Sequence, residues 1–154
     1  MSDTPVSLVV TDLDGTLWHT DDHVPEPVLA AFVELQQRGV PLLVATGRRL
    51  GSTRGPLAVH GLRAPMVVLN GALGVLPDSE RFHRATYPVD EATLVLDAFE
   101  SVGLEPVVYV DHPTFEAVLG PSPSTNPTHA AALGPTADRG DLRAAVAGGT
   151  ALGF

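Results

Sequence analysis

At 154 residues the chain has room for one well-packed domain, or one small domain carrying an insertion, which excludes two ordinary domains. A net charge of -9 excludes the clustered cations that nucleic-acid phosphates require, and the lack of cysteine excludes disulfides, thiol catalysis and zinc-thiolate centres. With 44% hydrophobic and 18% charged residues the composition is that of a folded, rather apolar globule, and its nine basic residues are all arginine. The opening "MSDTPVSLVV" carries no basic region and only a short apolar run, so neither a signal peptide nor a membrane span is expected and the expected location is cytoplasmic.

Residues 6 to 11 form an apolar run that predicts a strand buried on both faces, as in a parallel sheet covered by helices, with Asp12 at its C-terminal end. In "PEPVLAAFVELQQRG" the residues Val28, Leu29, Phe32 and Leu35 recur at helical spacing, with prolines at the start and Gly39 as the stop. Val40 to Ala45 predict a second strand running into Thr46, Gly47 and Arg48, which closes a βαβ unit. A short helix is predicted from near Pro56 to Gly61, then a third strand ending at Asn70. In an open parallel sheet the ligand lies outside the carboxyl ends of the strands, so these three polar termini are expected to converge.

Beyond Gly74 the pattern changes. "GVLPDSERFHRATY" predicts a hairpin turning at Pro77 to Glu80, and a boundary near residue 75 follows. "VDEATLVLDAFESVG" predicts a helix capped by Asp90 and ended by Gly103, with Leu94, Leu96, Ala98, Phe99 and Val102 on its apolar side. "EPVVYV" predicts a strand, residues 111 to 127 a proline-rich loop, "ADRGDLRAAVAGG" a last helix, and "TALGF" the opening of a further strand.

The two acids at the first strand end have a chemical reading. Covalent phosphoryl transfer needs a carboxylate in line with phosphorus, a proton donor for the leaving oxygen, and positive charge to offset repulsion between anions. Asp12 suits the first role. Asp14, on the same side of an extended segment, suits the second. Gly15 lets backbone approach a phosphate, to which the amides of Leu13 and Gly15 can donate. Mg²⁺ is the expected cation, on Asp12 and the backbone carbonyl of Asp14. Asp21, Asp22 and His23, with His19 nearby, read as a solvated acidic loop rather than a metal cluster, Arg48 as a solvated or helix-associated arginine, and Trp18 as a packing residue.

"DLDGT" after an apolar strand, "VATGR" one βα unit later and "LNGA" after the third strand resemble the haloacid dehalogenase superfamily, and within it the Cof-type hydrolases whose α+β cap follows the third strand. The resemblance implies an α/β fold, with residues 1–75 as the N-terminal part of a Rossmann-like core and 76–154 as a partial α+β cap. It implies a phosphatase of small phosphorylated metabolites such as sugar phosphates, with Asp12 as nucleophile and Asp14 as acid then base. Thr46, with Gly47, would bind phosphate, and Asn70 with Gly71 would border the site. It also implies a lysine and late metal-binding acids, which this sequence would have to replace with Arg81 or Arg84 and Asp111. The favoured alternative is a chain truncated within the cap, a member that associates with itself or with a complementing chain through an incomplete sheet. A non-catalytic phosphate-binding module and a phosphotransferase of the mutase type are the rival functions.

Overall fold

The computed structural model describes residues 5–18, 23–123 and 127–154, and the chain divides into two compact units, Met1–Arg84 and Ala85–Phe154. The first unit holds the motifs. Its elements are β1 (Val9–Thr11), α1 (Glu26–Gln37), β2 (Leu42–Ala45), α2 (Leu50–Val59), β3 (Met66–Val68), β4 (Leu73–Val75) and β5 (Arg81–Arg84), with a 3-10 turn at Leu69–Gly71. The sheet order is β1-β2-β3-β4-β5; the first three strands are parallel and the last two antiparallel.

Local sequence accounts for α1. Pro25 is the extended N-cap residue, Pro27 sits where a helix needs no amide donor, and the helix ends at Arg38 before Gly39 at φ +67°. It buries Phe32, a contribution of about 1.5–3 kcal/mol. The hairpin predicted at Pro77 to Glu80 is present: the Leu76 amide donates to the Glu80 carbonyl at 2.8 Å, and Ser79 takes φ +79°.

Two expectations for this unit are corrected. The first strand is not buried on both faces: Val6, Leu8 and Val10 are 64%, 50% and 54% exposed. Only Val10 of these lies in β1, which is three residues long, with its Val10 face open and, as the last strand in the sheet order, a neighbour only in β2. The second helix begins at Leu50, after Arg49 in an extended conformation, so Pro56 lies inside it rather than at its start. Compactness divides the chain after Arg84, beyond the change of pattern near residue 75, because β5 pairs with β4 and stays with the first sheet.

The second unit comprises α3 (Val89–Ser101), β6 (Val108–Val110), β7 (Ala117–Leu119), α4 (Pro127–Leu133), β8 (Ala137–Arg139), α5 (Leu142–Ala147) and β9 (Ala151–Gly153). Its sheet order is β8-β7-β6-β9, and Leu96, Val108, Val110, Val118, Leu142 and Val146 belong to its core. Helix α3 is capped by Pro88 and not by Asp90, which falls in the first turn together with Glu91, where both acids favour the helix dipole. The expected loop over 111 to 127 contains β7, buried at all three positions between β6 and β8. The expected last helix is confined to α5, capped by Asp141 accepting from the Arg143 and Ala144 amides, while Ala137–Arg139 form a strand. The predicted strand at the chain's last residues is β9, antiparallel to β6.

Candidate active site

The site is assembled at the carboxyl ends of β1, β2 and β3. At the end of β1 the chain leaves Asp12 exposed and turns Leu13 fully inward. The Leu13 carbonyl then accepts from the amides of Thr16, Leu17 and Trp18 at 3.1, 2.9 and 3.1 Å, and the Gly15 amide donates to the Trp18 carbonyl at 2.9 Å. Gly15 sits at φ +74°, a backbone conformation that costs a residue with a Cβ about 1 kcal/mol or more. Glycine is therefore needed here for the turn itself. The Gly15 amide expected to meet a phosphate is spent inside that turn. Leu17 and Trp18, 3% and 1% exposed, anchor the loop.

Asp14 is held from two sides. Arg48 donates from Nε to Oδ2 at 2.7 Å and from Nη2 to Oδ1 at 2.6 Å, while Trp18 Nε1 donates to Oδ1 at 3.1 Å. The guanidinium carbon lies 5.0 Å from the Trp18 ring centroid, within cation-π range. The Arg48 hydrogen bonds hold the Asp14 carboxyl below its ordinary value; partial desolvation opposes them, and the Trp18 bond and the Arg48 charge reinforce them.

Pro56 provides Arg48 with a further anchor. A proline inside a helix lacks the amide that would bond the carbonyl four residues earlier, which here is Ser52. Arg48 Nη1 donates to that carbonyl at 3.3 Å. Arg48 is thus helix-associated as expected, but it is not a solvated arginine: its fork is engaged on Asp14. Sequence reasoning missed this pair and the Trp18 bond to Asp14. The pair joins residues 34 apart, so no local spacing signals it.

The β2 and β3 ends are locked together. Thr46, 8% exposed, donates its amide to the Val67 carbonyl at 2.9 Å, and its Oγ1 accepts the Arg48 amide at 3.3 Å. The amides of Leu69 and Asn70 donate to the carbonyls of Arg48 and Thr46 at 2.9 and 3.4 Å. Asn70 takes φ 53° and ψ 32°, and its Oδ1 lies 2.8 Å from where a Cβ on Gly47 would stand. Glycine at 47 is what lets the Asn70 side chain fold over this loop. Asp14, Thr46, Gly47, Arg48 and Asn70 therefore form one connected network beside Asp12.

Other candidates lie elsewhere. Asp111 follows β6 in the second unit, its amide donating to the Thr150 carbonyl at 3.0 Å. Arg81 and Arg84 lie on β5, exposed along its length. His19, Asp21 and Asp22 fall outside the described residues; His23 packs edge-to-face on His60 at 5.6 Å between centroids. Among the described residues no group of three or more His, Cys, Asp or Glu side chains could hold a metal, and no helix is long and apolar enough to cross a membrane.

Parallel strands ending in an acid pair and a Thr-Gly-Arg loop define an α/β protein whose candidate residues gather at the carboxyl ends of the strands. The chain belongs to the haloacid dehalogenase-like hydrolases, whose family model matches residues 9–116. It is 32% identical over 96 residues to a phosphoglycolate phosphatase of Methanopyrus kandleri, covering 62% of this chain and 40% of that protein. It is 36% identical over 89 residues to an HMP-PP phosphatase of Shigella flexneri serotype 5b, covering 58% of this chain and 33% of the relative. The solved structure of a haloacid dehalogenase subclass IIB sugar phosphatase shares the fold with a TM-score of 0.71 at 17% identity, over 94% of this chain and 56% of that one. The chain thus spans well under two thirds of the length of these relatives.

Proposed function

We propose that the chain carries the phosphoryl-transfer half-site of a Mg²⁺-dependent phosphatase acting on small phosphorylated metabolites. The observation that carries this reading is the exposed Asp12 at the end of β1, with Asp14 two residues on and the Thr46 hydroxyl at the neighbouring strand end. Asp12 attacks phosphorus, the bond from phosphorus to the ester oxygen breaks, and Asp14, in its protonated form and free of Arg48, gives that oxygen its proton. Water then attacks the phosphorus of the aspartyl-phosphate, Asp14 takes the water's proton, the bond from phosphorus to the Asp12 oxygen breaks to restore the carboxylate, and inorganic phosphate leaves. Thr46 and the backbone of Leu13 and Gly47 hold the phosphoryl oxygens, and Asn70 borders the site.

Mg²⁺ fits the donor set, since the Asp12 carboxylate and the Asp14 main-chain carbonyl are hard oxygen ligands; when bound it supplies charge against the repulsion between carboxylates and phosphate. The relatives' names, phosphoglycolate, HMP-PP and sugar phosphatases, support a small phosphorylated substrate. The second unit is read as part of an α+β cap.

The test is hydrolysis of an aryl phosphate with Mg²⁺, comparing the wild type with Asp12→Asn. Turnover that requires Asp12 is expected. Its absence would leave a phosphate-binding module as the better account.

A second reading concerns assembly. The edge strand β1 with its exposed Val10, preceded by exposed Val6 and Leu8, is a template for another strand, from a second copy or a complementing chain. Light scattering should find the chain associated, and Val10→Lys should lower its mass. A monomeric wild type would sink this reading.

A further inference from the structure

Both carboxylate oxygens of Asp14 already have donors in the structure. Oδ2 accepts Arg48 Nε, and Oδ1 accepts Arg48 Nη2 and Trp18 Nε1. The Arg48 fork takes one lone-pair position on each oxygen and Trp18 a second on Oδ1, so a leaving-group oxygen has to compete with the fork for the face of the carboxylate that Arg48 covers. We propose that Arg48 is a latch released by the ligand: its guanidinium holds Asp14 in the empty site and transfers to the phosphoryl oxygens of an incoming phosphate monoester, which uncovers Asp14. The proposal rests on the phosphatase reading above, and it adds a role for a residue outside the nucleophile and acid pair.

Four observations support the transfer. The pair is half open to solvent, with side chains 25% and 51% exposed, so it is a weak bond that a dianionic phosphate with more acceptor oxygens outcompetes. The guanidinium does not depend on Asp14 for its place: Nη1 is held by the Ser52 carbonyl that Pro56 leaves without a helical donor, and Trp18 lies beside it at 5.0 Å. Its backbone amide bonds Thr46 Oγ1, so the group stays at the strand ends after release. The chain also contains no lysine, so any side-chain cation that it supplies to the phosphate at neutral pH is an arginine or a protonated histidine.

Trp18 is the chain's one tryptophan, which makes its emission a direct reporter of the latch. Inorganic phosphate is titrated into the chain at constant ionic strength, with binding measured by calorimetry and Trp18 emission followed in parallel. Emission should change with the same midpoint as binding. The decisive comparison is a double-mutant cycle on phosphate affinity. Asp14→Asn should tighten phosphate roughly two- to fivefold by giving up its hold on Arg48, and the gain should vanish in an Arg48→Met background. A gain that persists with Arg48→Met reflects only the lost negative charge and overturns the latch. Arg48→Met binding phosphate as tightly as the wild type overturns it as well, as does binding without any change in Trp18 emission. Far-UV circular dichroism checks folding, and Arg48→Lys, which keeps the charge without the fork, should bind phosphate with reduced coupling to Asp14. Asp12-dependent turnover without coupling would sink the latch alone, whereas no phosphate binding at all would sink the latch and the phosphatase reading together.

Discussion

Replacing Trp18 with alanine tests how the acid-bearing loop is held. The indole is 1% exposed and heads the largest fully buried side chains. An aromatic of this size buries about 150–250 Å², which at ~25 cal/mol per Å² is about 4–6 kcal/mol before the part that alanine retains is subtracted. Measured truncations of this kind cost about 3–5 kcal/mol. The bond from Nε1 to Asp14 adds little, about 0.5 kcal/mol, because water can replace a donor to a half-exposed carboxylate. A loss of about 4 kcal/mol is expected. A unit of 84 residues carries about 4–13 kcal/mol in all, so Trp18→Ala should leave the first unit close to unfolding. Trp18→Phe, which keeps a ring in the same space, should cost about 1–2 kcal/mol. Urea unfolding followed by far-UV circular dichroism measures both, since the change removes the tryptophan signal. A loss below about 1.5 kcal/mol for Trp18→Ala would refute the claim that packing anchors this loop. Equal losses for the two variants would make the hydrogen bond the anchor instead.

Gly47→Ala places a methyl 2.8 Å from Asn70 Oδ1; an exposed side chain can swing away, so a cost of about 1 kcal/mol is expected, and Asn70→Gly in the same chain should recover it. Gly74→Ala meets the Phe82 ring at 2.7 Å and the His83 Cβ at 2.8 Å across a paired strand, so its larger cost, about 2–3 kcal/mol in a urea melt, should not be recovered by Asn70→Gly. Because Asp14 is held below its ordinary value, the stability it contributes is complete above about pH 4 and is lost as pH falls through its lowered native value. For this half-exposed pair that is at most about 1 kcal/mol, and the difference between wild type and Arg48→Met should close in acid. A difference that persists in strong acid would show that Arg48 stabilises by packing rather than through Asp14.

What was legible in the sequence was what neighbouring residues decide. Helix α1 could be read from its prolines, its apolar spacing and Gly39, and the three strand ends from apolar runs meeting glycine and polar residues. The exposure of Val10 could not, because it depends on whether another element packs over that face of β1, which the tertiary fold decides. Strand β7 is three residues between prolines, too short for a period, and it exists through its pairing with β6 and β8. The start of α2 was misplaced because proline is favoured in a helix's first turn, whereas Pro56 is tolerated inside the helix where a side chain from outside takes up the orphaned carbonyl. The Arg48 pairing with Asp14 joins residues 34 apart, a contact that no local spacing encodes. The aspartates were visible in the sequence, but the group that restrains one of them was not.

Pro56 also sets a conflict for anyone engineering this chain. Replacing it with alanine returns a helical donor to Ser52 and should be worth up to about 3 kcal/mol, which makes it an obvious hit in a screen for heat resistance. The same change makes Arg48 share with a helical amide one of the acceptors that hold its guanidinium at the strand ends. A library ranked by melting temperature alone would enrich this substitution and, with it, a loosened Arg48; the imperfect helix is the form that keeps this arginine anchored.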